Sequence, residues 1–173
     1  MAVTEQPFGR YDGKTILLHW LTAFLVVLLW CMGQTIDWYP RAFRIDARSA
    51  HFVVGLLLGV VLLLRVIWRS SGGRVLPPAD PGLVQYASRS VHYVLYALVI
   101  GAVVLGMANA WTRGDSVFGL FKLPGYAPWR RSVESLHADV ANILLIVAGL
   151  HALAALGHHY VLRDNVLRRM LVK

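Results

Sequence analysis

Charged side chains are scarce in this sequence, at 15% of 173 residues, where a soluble domain carries about a quarter. With 57% hydrophobic residues and a mean hydropathy of +0.57, the composition excludes most water-soluble enzymes. Cysteine is rarer still. Cys31 stands alone, which excludes an intramolecular disulfide and a CxxC metal or redox site. Internal repeats and low-complexity tracts are also missing. Acidic residues are outnumbered, 9 against 17 Lys and Arg, for a formal net charge of +8. On so apolar a chain that excess marks loops beside anionic lipid headgroups or an anionic substrate, and nucleic acid is not expected as a partner.

The charge that is present is segregated. Of all Lys, Arg, Asp and Glu residues, only Arg65 falls inside the windows 15–36, 49–68, 90–112 and 140–162. Each window is long enough for a membrane helix, which needs about 20 largely apolar residues. In lipid the backbone must satisfy its own hydrogen bonds, so these runs are expected to be helices. The predicted fold is all-α: an integral membrane four-helix bundle, a single membrane domain over 1–173, with spans at about 15–36, 49–68, 90–112 and 137–162. Arg10 and Lys14 precede the first apolar run as they would in a signal peptide. That run exceeds the usual 7–15 residues of a cleavable signal, so a retained first span is expected.

Four spans put both termini on one side, with an amphipathic start at 1–14 and a basic tail. That side carries ten Lys and Arg, Lys173 among them, and the other side seven: Arg41, Arg44, Arg48, Arg113, Lys122, Arg130 and Arg131. The positive-inside rule then predicts a multi-pass protein of the bacterial inner membrane with cytoplasmic termini. Trp20, Trp38, Tyr39, Trp68, Trp111, Trp129 and Tyr160 fall at span ends, where aromatic side chains anchor helices in the interface.

Histidine is unusually frequent for such a chain. Six of seven, His19, His51, His92, His151, His158 and His159, lie within the four windows, and His137 stands just outside the last. Ionisable groups at membrane depth are costly and usually functional. His137 and His151 are 14 residues apart, which places them within about 40° of one helix face and roughly 21 Å apart along the axis. His51 begins span two at the outer end, as His137 begins span four. His19 lies just inside the inner start of span one, and His151 a comparable distance before the inner end of span four. The histidines therefore group as an outer pair, His51 with His137, and an inner pair, His19 with His151. His92 opens span three at the depth of His19, and registry alone does not choose between the two.

Two imidazoles per level suit haem, whose porphyrin supplies the other four nitrogens, better than zinc, which wants three or four converging protein ligands. Four-helix bundles host such ligands in their cores. Gly55, Gly59, Gly101, Gly106 and Gly149 offer space for ring faces, and Gly55 with Gly59 also reads as a GxxxG packing face. Arg48 at the outer end, and Lys14, Arg65 and Arg69 at the inner, are candidate partners for haem propionates or for lipid phosphate. His158, seven residues past His151, continues the stripe to the inner interface, where a titrating imidazole suits a quinone carbonyl and proton delivery.

The segments LHW (18–20), AHFVVG (50–55), SVHYVLY (90–96) and LHADVANILLIVAGLHALAALGHHYVLRDNVLRRM (136–170) resemble the bacterial cytochrome b561 family over nearly the whole chain. The resemblance implies two haem b groups, one on His19 and His151 and the other on His51 and His137, and it favours His19 over His92, which stays an alternative ligand. The nearest likeness is to members that oxidise superoxide at the periplasmic face and pass electrons through both haems to ubiquinone. The loop 107–136 departs most from that pattern. On this reading Arg41, Arg44, Arg48 and Arg113 steer the anion electrostatically, and no protein nucleophile is needed. The alternative is a diheme electron-transfer subunit working between quinone and a periplasmic dehydrogenase or cytochrome partner. A third, non-redox reading makes the histidines structural or haem-handling.

Overall fold

A computed structural model of the chain describes residues 9–77 and 82–171. The first part of the amphipathic start and Lys173 of the basic tail lie outside the described residues. Four long helices carry the fold: α1 (Gly13–Thr35), α2 (Arg44–Ser71), α3 (Leu83–Arg113) and α4 (Arg130–Tyr160). All four have the length and apolarity to cross a membrane, as the charge-poor windows require. The helices overrun those windows. At 1.5 Å per residue, the 31 residues of α4 extend about 46 Å, beyond an apolar core of about 30 Å. His137 therefore sits two turns inside α4 and not at its start.

The helix ends follow from local chemistry. Asp12 caps α1, accepting hydrogen bonds from the Thr15 amide at 2.9 Å and the Thr15 hydroxyl at 2.7 Å. The same carboxylate accepts from the Trp68 indole at 2.9 Å and the Arg74 amide at 3.0 Å. One residue thus ties the start of α1 to the end of α2. Burial alone would raise the Asp12 pKa, but the hydrogen bonds from Thr15, Arg74 and Trp68 outweigh it and hold the carboxyl well below its ordinary range. At the outer end, α3 stops at Gly114, whose φ of 68° is the left-handed conformation glycine adopts without strain. Gly114 also meets Gly125 backbone to backbone, so a Cβ at 114 would lie 3.3 Å from the Gly125 Cα.

The outer loop after α3 is folded. Strands β1 (Ser116–Val117) and β2 (Phe121–Lys122) pair antiparallel. Ser49 on α2 anchors the hairpin: its hydroxyl accepts from the Phe118 amide at 3.0 Å and donates toward the Ser116 carbonyl at 2.9 Å. Ser49 is 2% exposed, a buried hydroxyl whose partners are all supplied.

The bundle closes as a ring in which α1 packs closely on α2 and α3 on α4, with looser seams between α2 and α3 and between α4 and α1. The central cluster is Leu25, Val26 and Leu29 of α1, Leu58, Val61 and Leu62 of α2, Val99 of α3 and Leu144 of α4. Leucines such as Leu17, Leu63 and Leu153 are more than half exposed and form the lipid-facing surface, as expected when the solvent is itself apolar.

Candidate functional site

The interior is organised in tiers at heptad spacing, two turns of helix being close to seven residues. Descending from the outer end, α2 presents His51, Leu58 and Arg65, and α4 presents His137, Leu144 and His151. Ascending from the inner end, α1 presents His19, Val26 and Gly33, and α3 presents His92, Val99 and Gly106. Because neighbouring helices are antiparallel, these positions meet in three layers. The middle layer, Val26, Leu58, Val99 and Leu144, is wholly aliphatic and at most 8% exposed.

At the outer level the rings of His51 and His137 face one another with centroids 6.3 Å apart and planes at 89°. Glycine fills the other two positions. A Cβ at Gly106 would lie 3.2 Å from Cε1 of His137, and one at Gly33 would lie 3.5 Å from Cε1 of His51, so any larger residue would press on an imidazole. The Nδ1 atoms of His51 and His137 are buried with no hydrogen-bond partner among the described residues.

At the inner level His19 and His151 stand 6.4 Å apart at 72°. His92 joins them, its ring 5.1 Å from that of His151 and its Nδ1 hydrogen-bonded to the Ser88 carbonyl at 2.6 Å. Arg65 reaches across from α2 and donates to Nδ1 of His19 at 2.9 Å, with its guanidinium 5.2 Å from the Tyr96 ring centre. These side chains line a cavity together with Thr22, Leu62, Leu95 and Val99. It is about 50 Å³ in volume.

These spacings fit an axial pair. Two imidazoles bound through nitrogen on opposite sides of one metal, with bonds of about 2 Å each, place their ring centres about 6 Å apart, as both the 6.3 Å and the 6.4 Å pairs do. The rings of His92 and His151 lie closer, at 5.1 Å, than those of such a pair. No group of three or more His, Cys, Asp or Glu among the described residues could hold a bare metal ion, which leaves a macrocycle with two axial imidazoles as the matching donor set.

The other residues singled out in the sequence are placed as follows. His158 is outside the inner cavity; its Nδ1 pairs with Asp164 Oδ2 at 2.5 Å. Asp164 returns beneath α4 through a turn in which Arg163 adopts a φ of 53°, and its second oxygen accepts from the Val166 amide at 2.9 Å. Burial would raise the Asp164 pKa, but the hydrogen bonds from His158 and Val166 and the charges of His158 and Arg169 lower it. Of the outer arginines, Arg44 pairs with Asp37 at 3.4 Å, while Arg48 and Arg113 converge on one oxygen of Asp115 at 3.5 and 3.6 Å. Arg113 also bonds Glu134 at 2.6 Å. Arg41, Lys122, Arg130 and Arg131 are exposed and have no ion-pair partner among the described residues. Among the candidate glycines, Gly106 opens onto a histidine, Gly59 meets Val103 of α3 and Gly101 meets Val140 of α4. Gly33 escaped the sequence reading, although its place 14 residues after His19 was the available signal.

The sequence pattern of the prokaryotic cytochrome b561 family matches residues 10–173. The chain belongs to that family. As a prokaryotic cytochrome b561 it is a membrane electron-transfer cytochrome that binds haem b, and its helical architecture is the one expected. Among its relatives, a probable superoxide oxidase CybB of Yersinia pestis is 32% identical over 95% of this chain and 97% of its own. A cytochrome b561 homolog 2 of Escherichia coli is 30% identical over 100% of this chain and 96% of its own. A cytochrome b562 of Cereibacter sphaeroides is 30% identical over 98% of each.

Proposed function

We propose that this cytochrome oxidises superoxide to dioxygen at its outer, periplasmic end and delivers the electrons to ubiquinone at its inner, cytoplasmic end. Two facing imidazole pairs, His51 with His137 and His19 with His151, whose α4 members are separated by about 21 Å of helix, carry the reading, because each could hold a haem near one face of the bilayer. The likeness to the Yersinia protein, whose name specifies superoxide, supports the choice of donor.

His51 with His137, and His19 with His151, would each hold a haem b, which when bound would supply reversible one-electron chemistry while the protein sets its orientation and electrostatics. At the outer end, Arg41, Lys122, Arg130 and Arg131 present exposed positive charge to the approaching anion, and such fields raise association rates about 10- to 1000-fold. Arg44, Arg48 and Arg113 contribute through ion pairs that fix the mouth of the bundle. At the inner end, His158, paired with Asp164, is placed to exchange a proton with a quinone oxygen. The reaction balances as two superoxide anions giving up one electron each, released as two dioxygen molecules, while one ubiquinone takes two electrons and two protons to become ubiquinol.

The test is steady superoxide generation over the purified cytochrome. Haem reduction by superoxide, followed by reduction of added ubiquinone with oxygen release beyond spontaneous dismutation, is expected; absence of both excludes the proposal. An electron-transfer subunit would instead co-purify with a redox partner after mild solubilisation and leave superoxide at its background rate.

A further inference from the structure

We infer that Arg65 is a carboxylate-binding residue of the inner level, and that its ligand is an acidic side arm of the macrocycle held there. The inference rests on haem b being bound by His19 and His151.

Arg65 is the one charged residue inside the apolar windows, and a cation at that depth is expected to meet an anion or a strong acceptor. Among the described residues no carboxylate lies within ion-pair distance of it. Its hydrogen-bond acceptor is Nδ1 of His19, and its other contact is the face of Tyr96. Arginine is always the donor, so in this arrangement His19 carries its proton on Nε2. A histidine that ligates through Nε2 needs its lone pair there and its proton on Nδ1, which then donates to an acceptor of its own. The two arrangements exclude one another. When His19 takes up its axial role, the guanidinium loses its acceptor and must find another within reach at the same depth.

Haem b brings two carboxylates, and a planar guanidinium binds carboxylate by paired hydrogen bonds. The outer level is built differently. The positions corresponding to Arg65 hold glycine or histidine, and the arginine one turn beyond His51, Arg48, is already matched to Asp115. Arg65 is therefore specific to the inner level.

The experiment compares the wild-type chain with Arg65→Met and Arg65→Lys, each reconstituted with haem b and with its dimethyl ester, in which both carboxylates are blocked. Haem content is read by the alkaline pyridine haemochrome, and the two midpoint potentials by spectroelectrochemistry. Arg65→Met is expected to weaken retention of the inner haem by roughly 30-fold or more, the lower end of the range for truncating one partner of a desolvated charge pair. It should also lower the inner midpoint potential, since removing a positive charge favours the oxidised iron, and leave the outer haem unchanged. Arg65→Lys should fall between. In the wild type the dimethyl ester should bind the inner level as weakly as haem b binds Arg65→Met, and the combination should add little further loss. Equal retention of haem and ester by the wild type overturns the inference, as does an Arg65→Met chain with wild-type haem content and potentials. If Arg65→Met fails to fold, the wild-type ester comparison decides alone. A wild-type chain without two haems would refute the parent reading first.

Discussion

The outer level offers two imidazoles and two glycines; the inner level, at equivalent heptad positions, offers three imidazoles and a guanidinium. Outside, space is provided: a Cβ at Gly106 or Gly33 would crowd a histidine, and both ring Nδ1 atoms lack hydrogen bonds among the described residues. Inside, polar groups engage one another, His19 with Arg65 and His92 with Ser88. The same backbone geometry thus produces an outer site defined by shape and an inner site defined by charge and hydrogen bonding. An electron carrier needs only a held cofactor at its donor end, whereas its acceptor end must also manage the protons that accompany quinone reduction.

The largest expected effect concerns the ligands. His137→Ala or His51→Ala should remove the outer haem alone, halving the pyridine haemochrome yield, and His151→Ala or His19→Ala should remove the inner one. Loss of both haems from a single outer substitution would break the independence of the levels. Next in size is crowding. Gly106→Leu, and to a lesser degree Gly33→Leu, should displace an outer imidazole and lower outer-haem content, while inner-haem absorbance persists. An unaffected outer haem would remove shape as its determinant.

The third prediction concerns charge at the outer mouth. Arg41→Ala combined with Arg130→Ala and Arg131→Ala should slow haem reduction by superoxide several-fold and flatten its dependence on ionic strength, within the range of electrostatic steering. Arg44→Ala should do less, because its charge is already offset by Asp37. Equal effects would mean that the ion pairs do not attenuate the field.

The smallest effect falls on the scaffold near the inner end. Asp12→Ala removes a helix cap and the acceptor for Trp68 and Arg74, and should cost about 1–2 kcal/mol of thermal stability. Because the folded-state pKa of Asp12 is depressed, its stabilisation is complete above the unfolded value of about 3.9 and is lost as pH falls from there through the folded pKa. Asp12→Asn should abolish that part of the acid sensitivity, which a melting series from neutral to strongly acidic pH would detect.

Much of this architecture was legible in the residues. Charge-poor windows defined the helices, and depth counting placed His51 level with His137, and His19 and His92 level with His151, because helical rise converts residue number into height. What the counting missed depended on contacts between chains of the bundle. Gly33 has meaning only against a ring on a neighbouring helix, and Arg65 read equally as a lipid anchor until its reach to His19 was visible. The hairpin at 116–122 was unforeseen, since strands of two residues carry no periodicity. Arg44, Arg48 and Arg113 read as free charges, yet Asp37 and Asp115 neutralise them through folds of the loops that no spacing rule encodes.

The aliphatic layer of Val26, Leu58, Val99 and Leu144 has an electrical consequence. A hydrated proton crossing that stratum would shed its water into a medium with no acceptor, a penalty of many kcal/mol, whereas an electron tunnels without hydration. On the proposed route the layer would act as a proton insulator across which reducing equivalents move alone, so turnover between the two faces would separate charge and leave the membrane's own ion gradient undissipated.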